Sequence, residues 1–328
     1  MYKVFVTRRI PEPGLELLRK ECEVTINPED RVLAKDEIIK NVKGKDGLLC
    51  LLTDKIDAEV MDAEPKLKVI SNYAVGYDNI DVEAATKRGI AVTNTPGVLT
   101  DAVADLAWAL LMSIARRIVE ADRFVRAGRW KGWAPMLMLG GAVHGRTLGI
   151  VGLGRIGSAV ARRARGFDMK VLYHDVVRRE GLERELGLEH VPLEELLRRS
   201  DYVTLHVPLL PATYHLIGER ELGLMKRSAY LINTSRGPVV DEAALARALE
   251  EGRIAGAALD VYEREPKVHE SLLRLDNVVL VPHIGSATIE TRTKMAMMAA
   301  ENLLAVLKGK IPPSLVNKEV LKVTPLKP

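Results

Sequence analysis

Three side chains of complementary chemistry follow short apolar runs in the second half of the chain. Arg236 comes after Leu231-Ile232-Asn233-Thr234-Ser235, Glu265 after Leu259-Asp260-Val261-Tyr262, and His283 after Val279-Leu280-Val281-Pro282. A guanidinium is a planar, permanently charged fork that matches a carboxylate. An imidazole gives or takes a proton near neutral pH. A carboxylate at its far nitrogen would fix the tautomer and favour imidazolium. Each residue alone has an ordinary structural reading: Arg236 as a loop ion pair, Glu265 as a cap, His283 as a satisfied core histidine.

A fourth feature changes their weight. Val151-Gly152-Leu153-Gly154-Arg155-Ile156-Gly157 stands where the apolar run Leu148 to Val151 gives way to a helical pattern carrying Ile156, Ala159, Val160 and Ala164. Gly152 suits a tight turn, Gly154 a close approach to a pyrophosphate, and Gly157 close packing of helix on sheet. The phosphates would rest on amides at a helix N-terminus, where the dipole favours negative charge. About eighteen residues past Gly157 a second apolar run ends in Asp175, placed to hydrogen-bond both hydroxyls of an adenosine ribose. That carboxylate would repel a 2′-phosphate and argues for NAD. Arg178 and Arg179 leave NADP open, although their simplest reading is surface charge.

The elements that must position these groups are short β-like runs alternating with helical patterns, which predicts parallel sheets covered by helices. Strands are expected at Val4 to Thr7, Val24 to Ile26, Gly47 to Leu51, Val69 to Ser71 and Ala91 to Thr93, and, past the glycine loop, at Tyr202 to Val207, Tyr230 to Asn233, Ala255 to Leu259 and Val278 to Val281. Thr100 reads as the N-cap of one long helix to about Arg126, linking two domains. After it, Trp130 to Gly140 is a loop too apolar to lie in water. It either packs on its own domain or meets a partner, and a contiguous apolar surface of this kind predicts a homodimer. From Thr288 a last long helix carries core residues, and the tail beyond Pro312-Pro313 should return to the first domain. The expected domains are thus 1–99 completed by 288–328, and 100–287 with the dimerisation helix and loop.

Composition narrows the functional classes. The 328 residues carry 48 basic and 44 acidic side chains, too even a balance to ask for nucleic acid. No apolar stretch reaches membrane-span length, and Cys22 and Cys50 are too few for a disulfide framework, which fits a reducing cytoplasm. The seven histidines are dispersed, with none at metal-ligand spacing to a cysteine or carboxylate. The sequence has no glutamine and 28% charged residues, a bias that fits a thermophilic source.

Five motifs in order make the whole chain resemble the D-specific 2-hydroxyacid dehydrogenases that use a nicotinamide dinucleotide. They are Gly152 to Gly157 with Asp175; His206-Val207-Pro208-Leu209 with Thr213; Asn233-Thr234-Ser235-Arg236-Gly237; Leu259-Asp260-Val261 with Glu265-Pro266; and Pro282-His283-Ile284-Gly285-Ser286. Val75-Gly76-Tyr77-Asp78-Asn79-Ile80-Asp81 and the tail Ile311 to Asn317 look most like the glyoxylate and hydroxypyruvate reductase branch. The resemblance implies an α/β fold of two doubly wound parallel-sheet domains, Rossmann and flavodoxin-like, with the active site in the cleft between them. It implies reversible reduction of a small 2-oxoacid by hydride transfer: Arg236 holds carboxylate and keto oxygen, His283 supplies the proton, and Glu265 orients the imidazole. It places the cofactor on the glycine loop and Asp175, on His206, Val207, Pro208 and Thr213, and on Thr234, Ser235, Arg236, Asp260, His283 and Gly285. Substrate falls to Arg236, His283 and the amides of Val75 and Gly76, with Leu52, Met136 and Leu137 as candidate pocket linings. Three alternatives stay open: a D-lactate or longer-chain hydroxyacid dehydrogenase, phosphite oxidation, and, from another class, a dinucleotide-sensing corepressor-like binding protein.

Overall fold

The computed structural model describes residues 1–327 and divides into two compact units, Met1–Leu99 together with the chain from Ala287 onward, and Thr100–Ser286. The first unit runs β1 (Tyr2–Val6), α1 (Glu12–Arg19), β2 (Cys22–Ile26), α2 (Lys35–Val42), β3 (Gly47–Cys50), α3 (Ala58–Asp62), β4 (Val69–Asn72), α4 (Val82–Lys87) and β5 (Ala91–Thr93). The second opens with α5 (Thr100–Ala115) and α6 (Ile118–Arg126), then β6 (Thr147–Val151), α7 (Arg155–Ala164), β7 (Lys170–His174), α8 (Glu180–Leu186), β8 (Glu189–His190), α9 (Leu193–Arg199), β9 (Tyr202–Leu205), α10 (Glu219–Leu224), β10 (Tyr230–Asn233), α11 (Glu242–Glu250), β11 (Gly256–Leu259) and β12 (Val278–Leu280). Helix α12 (Ile289–Leu307) brings the chain back to the first unit.

Both sheets are parallel throughout. The first has strand order β2-β1-β3-β4-β5 and the second β12-β11-β10-β9-β6-β7-β8. In such sheets ligands bind beyond the carboxyl ends of the strands where the order reverses. Those points are β1/β3 in the first sheet and β6/β9 in the second. Near-continuous burial of β3, β4, β9 and β11 follows from helices covering both faces. In the first unit α12 packs tightly on α1: a Cβ on Gly14 would lie 2.7 Å from the Ala296 carbonyl oxygen. The tail does return, with Leu315 bridging Thr93 and the Val316 amide donating to the Val92 carbonyl at 2.8 Å.

Three features depart from the sequence pattern. The single helix from Thr100 to Arg126 is two helices, and α5 already includes Thr100. Arg117 adopts a left-handed φ of 54°, and the Ala115 carbonyl accepts the Gly141 amide at 2.8 Å. Ile114 and Ile118 keep helical spacing across the break, so periodicity ran on where the backbone turned; Ile118 is instead 54% exposed. Second, Trp130 to Gly140 packs only in part on its own unit: Trp130, Leu137 and Met138 line a hollow with Phe124 and Val125 of α6, and the Leu139 carbonyl accepts Arg117 Nη1 at 3.2 Å, but Trp133 is 85% and Met136 76% exposed. Third, β8 is a two-residue edge strand that no apolar run announces.

Candidate active site

The glycine loop leaves β6 at its carboxyl end. Gly152 has φ 93°, and a Cβ there would sit 2.7 Å from the His206 carbonyl oxygen. A Cβ on Gly157 would lie 2.1 Å from the Gly152 oxygen, so helix α7 can approach β6 only with glycine there. Gly154 differs: a Cβ would meet nothing within 4 Å. The fold itself does not need this second glycine of the motif, and the open space above it lies at the α7 N-terminus, which has no side-chain cap. This fits a pyrophosphate. Of the other loop residues, Arg155 is exposed and Ile156 packs on the core.

Asp175 closes this site from β7. Its carboxylate accepts the Leu153 amide at 2.7 Å and the Val177 amide at 3.1 Å, which ties the acid to the loop it serves. Arg178 is engaged elsewhere, with both its bonds to Glu183 at 2.9 Å. Glu183 is held down to about 2 by hydrogen bonds from Arg178 and from the Tyr173 hydroxyl. The Arg179 amide donates to that hydroxyl at 2.8 Å. Across the switch point, the His206 amide donates to the Val151 carbonyl at 2.8 Å, and its Nε2 lies 2.9 Å from the Thr204 hydroxyl. Burial pushes this imidazole down to about 3, so it is neutral. Val207 packs against Gly152, and the Thr213 hydroxyl donates to the Pro208 carbonyl at 2.6 Å, closing its own loop.

The three chemical side chains stand beyond β10, β11 and β12 of the same sheet. Buried Asn233 shapes the first loop by accepting the Ser235 amide at 3.0 Å and donating to the Arg236 carbonyl at 3.0 Å. Arg236 Nη1 donates to the Ser235 carbonyl at 2.9 Å. Gly237 lets this loop touch the next, since a Cβ would fall 1.8 Å from the Tyr262 carbonyl carbon. Tyr262 donates its amide to Glu265 Oε1 at 3.1 Å and its hydroxyl to the Val281 carbonyl at 2.9 Å. Glu265 Oε2 then meets His283 Nδ1 at 2.9 Å.

His283 itself has φ 53°, a conformation a non-glycine residue keeps only when its surroundings over-determine it. Here the His283 amide donates to the Asp260 carbonyl at 2.9 Å, and the Asp260 carboxylate accepts the Ile284 and Gly285 amides at 2.6 and 2.8 Å. Burial raises Asp260 to about 6 against those amides and the nearby imidazole charge. Glu265 goes the other way. Its burial is outweighed by the His283 hydrogen bond and charge, the Tyr262 amide and the Arg236 charge, so it stays below the usual carboxylate range. The Thr234 hydroxyl is buried without a hydrogen-bond partner among the described residues, an orphan that a ligand amide would satisfy.

The first unit offers a different surface. The Ala74 carbonyl accepts the Thr95 amide at 2.8 Å, and the Val75 carbonyl accepts Asn94 Nδ2 at 2.7 Å. Because a trans peptide sets N–H and C=O on opposite sides, the next amides in the chain, those of Val75 and Gly76, both point away from these partners. Asn72 Nδ2 holds the Gly76 carbonyl at 2.8 Å, and Asn79 Nδ2 holds the Leu51 and Asp54 carbonyls at 3.1 and 3.0 Å, fixing the turn that carries Leu52. Sequence reasoning gave no role to Asn72, Asn79, Asn94, Asn233 or Tyr262. Asn79, Asn233 and Tyr262 stand inside the runs quoted above, and Asn72 and Asn94 stand in none of them. Met136 and Leu137, the other candidate pocket linings, are 76% and 36% exposed.

A dinucleotide loop at the switch point, with an Arg, Glu, His set on neighbouring strand ends of one sheet, defines a nicotinamide-dependent dehydrogenase of the parallel α/β class. Known proteins sharpen this. Residues 108–285 match the family model described as D-isomer specific 2-hydroxyacid dehydrogenase, NAD binding domain. The chain is 61% identical over 325 residues to a glyoxylate reductase of Korarchaeum cryptofilum, covering 98% of each, and 57% identical over 327 residues to one of Thermococcus litoralis, covering 98% and 99%. The crystal structure of an NADPH-dependent glyoxylate/hydroxypyruvate reductase from Sinorhizobium meliloti, with NADP and malonate, is 37% identical, covers 100% of this chain and 98% of that one, and has a TM-score of 0.86. The chain belongs to the D-isomer specific 2-hydroxyacid dehydrogenases and is an NAD(P)-dependent oxidoreductase. Among the described residues no group of side chains could hold a metal ion, and no helix is long and apolar enough to cross a membrane.

Proposed function

We propose that this protein reduces glyoxylate, and hydroxypyruvate beside it, to the corresponding 2-hydroxyacid, of D configuration where the carbon becomes stereogenic. The observation that carries this reading is the Glu265–His283 pair at 2.9 Å, with Arg236 near enough to act on Glu265 by its charge. The names of relatives more than half identical over nearly the whole chain support the substrate. The second unit is the nucleotide-binding domain and the first, 1–99 with the chain from 287, the substrate-binding domain.

Gly152 to Gly157, Asp175, His206 to Pro208, Thr213, Thr234, Ser235, Asp260 and Gly285 would hold a reduced nicotinamide dinucleotide, which would supply the hydride for the keto carbon. Everything else falls to the protein's own groups. Arg236 pairs with the substrate carboxylate and polarises the keto oxygen as negative charge develops on it. His283, its Nδ1 tied to Glu265, has Nε2 left to give a proton to that oxygen; Glu265 offsets the imidazolium charge until then. Running in reverse, the same nitrogen takes the hydroxyl proton. Leu52 and the amides of Val75 and Gly76 are assigned to the substrate in the first unit.

NADH is the preferred donor on this reading, because Asp175 would oppose a 2′-phosphate and Arg178 is already committed to Glu183. The exposed apolar stretch around Trp133 and Met136 is the surface of a homodimer. Both cysteines are free and buried, which suits the cytoplasm. The test is oxidation of NADH and of NADPH by purified protein, with glyoxylate, hydroxypyruvate, pyruvate and a branched 2-oxoacid offered separately. Fast turnover of the two small acids with NADH is expected. Turnover of none of the four would sink the reductase reading, and preference for NADPH would sink the assignment of Asp175.

A further inference from the structure

The segment carrying Glu265 is held from behind by a carboxylate that the reaction does not use. Glu242, at the first position of α11, is only 6% exposed. One of its oxygens accepts the Glu263 amide, and the other accepts the His269 amide at 3.2 Å. Glu263 answers: its Oε1 accepts the Glu242 amide at 2.9 Å. Each glutamate thus takes the other's backbone N–H. One carboxylate therefore fastens the chain two residues before Glu265 and four residues after it.

We propose that Glu242 and Glu263 are positioning residues for the acid–base pair, a reciprocal carboxylate–amide clasp that fixes the Tyr262 to His269 segment so that Glu265 stays against His283. This rests on the reading of Glu265 and His283 given above. A buried carboxylate is costly unless well bonded, and Glu242 has two amides to satisfy it. The clasp adds to contacts already crowded at this turn, where Gly237 abuts Tyr262 and the Tyr262 amide meets Glu265. It is also flanked by His215, whose Nε2 lies 3.0 Å from Glu263 Oε1 without making a hydrogen bond and whose ring stacks on Tyr214 at 4.1 Å. Removing the clasp leaves Glu265 in place but free to swing by the ångström or so that costs about 100-fold in a positioned reaction.

The test is a double-mutant cycle in the purified enzyme, with glyoxylate and NADH, across Glu242→Gln and Glu265→Gln. Glu242→Gln keeps the size and one acceptor oxygen. It should lower kcat about tenfold while leaving NADH affinity within about twofold, and should move the pH profile of kcat toward that of Glu265→Gln. In the Glu265→Gln background the second change should cost nothing further, since the clasp has no carboxylate left to position. If Glu242→Gln fails to fold, Glu263→Gln carries the same expectation at the less buried partner. Unchanged kcat, or losses that multiply in the double variant, would overturn the clasp as a positioning device. Wild-type protein that turns over none of the 2-oxoacids instead overturns the underlying reading, and this outcome is read before any variant is made.

Discussion

Two clusters of loops, each beyond the strand ends of its own parallel sheet, differ in the groups that dominate their frames, although Asp54 in the first also takes a backbone amide, that of Leu51 at 2.8 Å, and Asn233 in the second also holds a carbonyl. In the first unit neutral amide side chains, Asn72, Asn79 and Asn94, hold backbone carbonyls and leave the Val75 and Gly76 amides directed outward. In the second, buried carboxylates hold backbone amides: Asp260 takes those of Ile284 and Gly285, and Glu242 those of Glu263 and His269. What each displays differs in the same way. The mainly neutral frame presents uncharged donors suited to gripping an anion, and the charged frame presents Arg236 beside Glu265 and His283, the pair that handles the proton. The carboxylates that hold the proton-transfer residues also make that frame sensitive to pH.

The largest expected effect lies in the charged cluster. His283→Gln should lower kcat by about 1000-fold, within the usual range for loss of a general acid, with NADH binding by fluorescence titration unchanged. Weakened cofactor binding with kcat retained would remove the distinction between the clusters. Next comes the neutral frame. Asn94→Ala strips the Val75 carbonyl of its partner and should raise the KM for glyoxylate about tenfold with kcat within threefold, a loss near the cost of one unmade buried hydrogen bond. A fall in kcat instead would mean that both clusters serve chemistry.

The smallest effect concerns pH. Asp260, raised to about 6 by burial, takes up a proton as pH falls through that value and then grips the Ile284 and Gly285 amides less well. Reduction consumes a proton, so acid by itself favours it. A fall in kcat of about threefold between pH 7 and 5 would therefore report the frame and not the imidazole. Stability moves the other way. In the interval from the ordinary carboxylate value up to about 6 the folded protein binds more protons here than the unfolded chain, so this group's contribution to stability is lost as pH rises. The Tm of wild type relative to Asp260→Asn should accordingly improve from pH 7 to 5. If kcat and relative Tm fell together, Asp260 would be a simple structural acid.

By itself the sequence determined whatever depends on near neighbours. The strand, turn and helix around Gly152 to Gly157 are local, so three glycines and one apolar period sufficed to place them. Arg236, Glu265 and His283 were legible because each follows an apolar run and the ends of parallel strands lie at one edge of a sheet. Tertiary structure decided the rest. The break at Arg117 depends on Gly141 reaching the Ala115 carbonyl, a contact that helical spacing at Ile114 and Ile118 cannot register. The exposure of Trp133 and Met136 follows from where the chain runs after α6, and side-chain type alone argued for burial. Glu242 looked like any acid in a first helical turn, and its partners Glu263 and His269 are 21 and 27 residues away. Asn94 and Asn79 likewise meet their carbonyls only on folding, since Val75 is 19 and Leu51 28 residues away. Local patterns encode which backbone forms; only packing across the chain decides which polar group has to answer which, because an unpaired buried donor or acceptor is costly wherever its partner comes from.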